Sequence, residues 1–189
     1  MINFHSENIK YTLKQRSQIK KWIIAVIEKS KHKAGDISFV FCSDEFLLDI
    51  NKQYLNHDTY TDIITFDYSE KENEKSPLPQ PHPFFSEEHL LQMEKGSGRN
   101  LFLMGNISGD IFISIDRVKE NAEKFSKTSF DSAQGDDLRA KQMRFENELH
   151  RVIIHGVLHL LGYKDKTKAA KTEMTKQEDI CLKAFQKIK

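Results

Sequence analysis

At 189 residues, 38% hydrophobic and 30% charged, the chain is one domain long enough to close a core. Its formal net charge of +1 excludes an overall basic field of the kind that draws nucleic acid by bulk charge. Two cysteines without motif spacing, Cys42 and Cys181, exclude a disulfide scaffold, and no run approaches the ~18 apolar residues of a membrane span.

The N-terminal stretch MINFHSENIK holds no apolar core of signal-peptide length, so a cytoplasmic protein without membrane contact is expected. Its INFHS alternates and predicts an edge strand. Residues 11–31 predict an amphipathic helix, with Ile19, Trp22, Ile23, Val26 and Ile27 on one face and lysines opposite. Gly35 then breaks the chain, and ISFVFC (37–42) reads as a short buried strand. Ser43 is set to cap the next helix, where Asp44 and Glu45 favour the positive end of the dipole and Phe46, Leu47, Ile50 and Tyr54 share a side. DIITFDY (62–68) and DIFISI (110–115) give two further strands.

Two segments differ in character. Residues 69–108 contain all four prolines and a mixed charge run and predict a loop insertion, with a short helix between Ser86 and Gly96. Residues 126–140 predict a second loop after a helix starting near Asp116. Two helices follow, at 141–162 and 168–187, the last burying Met174, Ile180, Cys181, Ala184 and Phe185. Three to four strands with about five helices make an α+β domain spanning residues 1–189. The charge is uneven. Eight Lys/Arg stand against one acid over residues 10–33, and eight Lys against four acids over 164–189. These segments form a basic patch if the fold joins them, and are otherwise solvated helix faces.

From Val152 to Tyr163 there is no charged residue, and apolar side chains point nearly all round, as in a central buried helix. His155 and His159 project from this helix one turn apart. An unpartnered buried imidazole costs about 1–3 kcal/mol. A lone histidine here reads as a hydrogen-bonded core residue, but two at i, i+4 aim their nitrogens at one metal ion. Gly162 is suited to the left-handed turn that ends a helix, and Asp165 follows within reach. The alternative for Asp165 is a solvated residue between Lys164 and Lys166. The pattern H-x-x-x-H-x-x-G-x-x-D supplies two nitrogens and a carboxylate, leaving a fourth zinc position open as in catalytic sites. The residue after the first histidine is Gly156, where H-E-x-x-H metalloproteases carry their general base. That gap disfavours peptide hydrolysis and favours phosphodiester cleavage, which leans on charge stabilisation and in-line positioning.

The run from His155 to Tyr163, followed by Lys164 and Asp165, resembles the H-G-x-L-H-L-x-G-Y signature of the YbeY-type metal-dependent endoribonucleases. TDIITF (Thr61 to Phe66) is similar to that family's T-D-V-L-S-F strand, and GDIFIS (Gly109 to Ser114) to its G-D-I-x-I strand. With ELHRVIIHG leading into the signature, the resemblance spans most of the chain outside the two loops. It implies an α+β domain with a metal at the bottom of a cleft beside the sheet. It also implies one Zn²⁺ per chain on His155, His159 and Asp165, and cleavage of single-stranded RNA in small-subunit ribosomal RNA maturation and ribosome quality control.

The chain departs from the family in two places. Asp165 stands where most members have a third histidine. Leu55 follows Tyr54 where the family has an arginine, leaving His57 or the basic helix to hold phosphate. Asp62 and Asp110, at strand starts, read either as outer partners of the ligands or as ordinary turn residues. Two other functions compete: a zinc metallopeptidase, and a ribosome-assembly factor whose structural zinc takes a fourth ligand from His82 or His89.

Overall fold

The structure, a computed structural model, describes residues 1–69, 104–128 and 138–188. The alternating INFHS forms β1 (Ile2–Ser6), whose inward Ile2 and Phe4 are buried. The helix predicted over 11–31 is confined to α1 (Arg16–Lys29), and its five predicted apolar residues are all buried. Residues before it do not wind into the helix because Leu13 is tucked into the core with Tyr11 packed against it, and Gln15 enters the helix at φ 54°.

β2 runs from His32 to Cys42, five residues longer at its start than ISFVFC. The expectation that Gly35 breaks the chain is therefore corrected. The turn lies at Lys31 (φ 63°), and Gly35 sits inside the strand at a register shift, where a Cβ would come 2.3 Å from Ser108 Oγ. α2 (Asp44–Leu55) is capped by Ser43 as predicted, its side chain accepting from the Phe46 N–H. β3 (Ile63–Asp67) and β4 (Met104–Ser114) follow, then α3 (Ile115–Thr128), α4 (Leu138–Leu160) and α5 (Lys168–Gln186).

The loop boundaries need correction at three ends. β4 begins within the predicted 69–108 loop. Its first half, MGNISG, lacks an apolar run but pairs with β2 through Asn106↔Lys33 and Ile107↔Ala34. Strand pairing of this kind is non-local and leaves little trace in a short window. α3 extends to Thr128 and α4 starts at Leu138, trimming the predicted 126–140 loop from both sides. Residues 70–103 and 129–137 of these loops lie outside the described residues, with the Ser86–Gly96 helix and His82 and His89.

The sheet has four strands in the order β1-β2-β4-β3, with β3 alone antiparallel. Alternation sends Ile37, Phe39, Phe41, Ile111 and Ile113 to one face, beneath α1, α4 and α5. Val40, Cys42, Ile64 and Phe112 go to the other, where Leu47 and Ile50 of α2 cover them. Each fully buried large side chain of this kind contributes roughly 1.5–3 kcal/mol. The architecture is the expected α+β class. In α5 the buried stripe is Met174, Glu178, Cys181 and Phe185, whereas Ile180 and Ala184 face solvent against expectation. The stripe is rotated because a carboxylate, Glu178, takes a core position. No helix among the described residues is long and apolar enough to cross a membrane.

Candidate metal centre and its cleft

α4 crosses the sheet, and between Val152 and Leu160 every residue but two is buried. The exceptions are His155 and His159, which with Arg151 form one i, i+4, i+8 stripe open to solvent. Gly156 lies against the sheet. A Cβ there would stand 2.8 Å from both Ile111 Cγ2 and Ile63 Cδ1, so close packing penalises any side chain at this position and leaves no room for a long one. The missing protease glutamate thus has a steric reason.

The helix ends as its glycine requires. Gly162 has φ +88°, and its N–H bonds the His159 carbonyl while the Tyr163 N–H bonds that of Leu158, the paired bonds of a Schellman motif. This turn carries the Tyr163 carbonyl back to His159, where it accepts from Nδ1 at 3.0 Å. His155 Nδ1 is held at 2.6 Å by Glu178 Oε1 from α5. Glu178 is itself buried and braced by Arg151, whose Nη1 lies 3.6 Å from its other oxygen while Nε donates to Glu148 at 3.0 Å.

These partners decide the tautomers. A carboxylate and a carbonyl only accept, so both Nδ1 atoms carry the hydrogen and both Nε2 atoms present lone pairs. The two Nε2 atoms face each other 2.9 Å apart. Two lone pairs so placed repel unless a cation lies between their directions. Burial, and next the adjacent His155, hold the His159 imidazole below the usual histidine range, which favours the neutral ligand form. Asp165 Oδ2 is 3.9 Å from His155 Nε2, and donor atoms of His155, His159 and Asp165 all lie within 4.8 Å of one another. Two imidazoles and one carboxylate are a donor set that suits a divalent transition metal, and the half-exposed Asp165 is free to close on it.

The remaining sequence-predicted residues fall elsewhere. Asp62 accepts from Asn121 Nδ2 at 3.4 Å, and its carbonyl accepts from the Ser114 N–H. Asp110 is buried beside Tyr68, whose phenol burial and this carboxylate push up. The partners that orient the histidines are instead Glu178 and the Tyr163 carbonyl. Glu178 escaped the sequence reading because it lies 23 residues from His155. Its only local signal is an acid at the core position of the Met174, Cys181, Phe185 stripe.

A cleft of about 500 Å³ opens beside His159, and Leu55, His57, Tyr60 and Lys166 are among its lining residues. His57 thus shares the cleft with His159, whereas the described lining includes no residue of α1. α1 and α5 do pack together. Trp22 Nε1 donates to the Cys181 carbonyl at 2.9 Å, and the Trp22 and Phe185 rings are 4.7 Å apart. The two lysine-rich helices are therefore neighbours.

The family model described as Endoribonuclease YbeY matches residues 1–186. The curated protein named Endoribonuclease YbeY from Cytophaga hutchinsonii is 39% identical over 181 residues, covering 96% of this chain and 93% of its own length. That of Flavobacterium psychrophilum is 37% identical over 185 residues, covering 98% and 96%. The solution structure of TM1509 from Thermotoga maritima aligns with a TM-score of 0.52 at 20% identity, covering 98% of this chain and 89% of that one, a likeness of fold. The chain belongs to the YbeY family of endoribonucleases, hydrolases that cleave phosphodiester bonds within RNA.

Proposed function

We propose that residues 1–189 act as a single endoribonuclease domain, in which His155, His159 and Asp165 hold one Zn²⁺ against a phosphodiester of single-stranded RNA. The observation that carries this reading is the pair of Nε2 lone pairs facing each other at 2.9 Å with both Nδ1 atoms already engaged. Bound Zn²⁺ would supply the charge that polarises a phosphoryl oxygen. Glu178 and the Tyr163 carbonyl hold the rings in register, Asp165 adds a negative ligand, and Lys166 and His57 offer donors to neighbouring phosphates along the cleft. The cellular substrate in this reading is small-subunit ribosomal RNA in the cytoplasm, with a role in ribosome quality control. The peptidase alternative lacks a base, since Gly156 has no room for one.

The test is cleavage of an unstructured RNA beside casein. RNA should be cut, with cutting abolished by a chelator and restored by zinc, and binding should weaken with salt at a log–log slope of about −0.7 per phosphate contact. Metal-dependent digestion of casein with RNA left whole would overturn the reading. Glu178→Ala should lower zinc affinity about 10- to 100-fold in a competition titration, as losing the group that orients a ligating histidine does. Glu178→Gln, which keeps an acceptor, should lose less. Unchanged affinity in Glu178→Ala would remove Glu178 from the site.

A further inference from the structure

The cleft beside His159 displays an aromatic ring that neither the core nor the donor cluster uses. Tyr60, in the turn between α2 and β3, is 51% exposed. The Arg117 guanidinium covers one face of its ring, 4.7 Å from the centroid. Arg117 is held there by an ion pair with Asp44, 2.9 Å from Nε, and a hydrogen bond from Nη1 to Glu120 at 2.7 Å. Two carboxylates offset its charge, so it serves the ring as a flat, immobile backing. The result is a phenol held rigid from behind, half open to solvent, on the wall shared by His159, His57 and Lys166.

We propose that Tyr60 is a stacking platform for an unpaired base of the RNA, seating the nucleotide next to the His155–His159–Asp165 cluster. This rests on the endoribonuclease reading above. An aromatic face accepts any base, and only a strand whose bases are unstacked can offer one, so the ring selects single strands without selecting sequence. The backing by Arg117 lowers the entropy cost of ordering the ring on binding. Lys166, on the same wall, is placed for a phosphate of the stacked strand.

The experiment compares the parent with Tyr60→Ala, Tyr60→Phe and Tyr60→Leu in the zinc-loaded protein. It uses a labelled unstructured RNA, the same RNA with single abasic positions, and its duplex. Tyr60→Ala should raise KM about 5- to 150-fold, the range for losing one base–aromatic stack. Its kcat, zinc content and melting temperature should stay near parental values, and Tyr60→Phe should behave as the parent. One abasic position should reproduce the loss in the parent and add nothing in Tyr60→Ala. Equal KM in parent and Tyr60→Ala, or Tyr60→Leu matching Tyr60→Phe, overturns the platform and leaves the endoribonuclease reading standing. A parent that neither binds nor cuts the RNA overturns both.

Discussion

His159→Ala should purify with almost no metal, against about one ion per chain in the parent, and should not cut RNA. Among the described residues the side chain supplies one of three donors gathered within 4.8 Å, and no other imidazole joins His155 in that cluster. Metal analysis and the RNA assay read the two losses separately. The metal-free forms of parent and variant should differ in stability by no more than about 1 kcal/mol. Alanine there removes a half-buried ring but also relieves the facing lone pairs. His155→Ala should behave likewise. Asp165→Ala should weaken metal binding without abolishing it, and Asp165→His should restore or tighten it. Parental affinity in Asp165→Ala would show that the carboxylate is not a ligand.

Gly156→Glu rebuilds the H-E-x-x-H pattern and should severely destabilise the protein instead of converting it to a protease. Even a Cβ at this position meets Ile111 and Ile63 at 2.8 Å, an overpacking that costs about 1–3 kcal/mol for Gly156→Ala. Glutamate adds a longer side chain and a carboxylate stripped of water, taking the loss beyond about 4 kcal/mol. Set against the usual total of about 5–15 kcal/mol, a loss of that size removes most or all of the stability of a chain at the low end of the range. Urea titration checks both variants. A Gly156→Ala protein with the parental midpoint would mean that α4 can lift from the sheet at no cost.

The parts of the fold that local pattern encodes were readable from sequence. The apolar stripe of α1, the Ser43 cap, the burial of α4 between Val152 and Leu160 and the left-handed Gly162 each depend on neighbours a few residues away. The same holds for the donor cluster, since His155, His159 and Asp165 sit within one helix end and its turn. What sequence did not reveal depends on distant partners. The early halves of β2 and β4 are strands because they pair with each other, and neither Lys33 nor Asn106 carries a strand signal alone. Glu178 reads as a surface acid until α5 is docked against α4, and the same rotation exposes Ile180. Tyr60 takes its backing from Arg117, 57 positions further along the chain, a partner no local window contains.

The placement of Glu178 on α5 also orders events in time. During N-to-C synthesis the two imidazoles of α4 are made before the carboxylate that turns His155 to face its neighbour. Until α5 docks, through Trp22 and the Cys181 carbonyl as well as through Glu178, the His155 ring is free to rotate about its own axis. A growing chain therefore carries the donors in an unset state, and the centre acquires its final geometry as the helix that follows Thr167 closes over it.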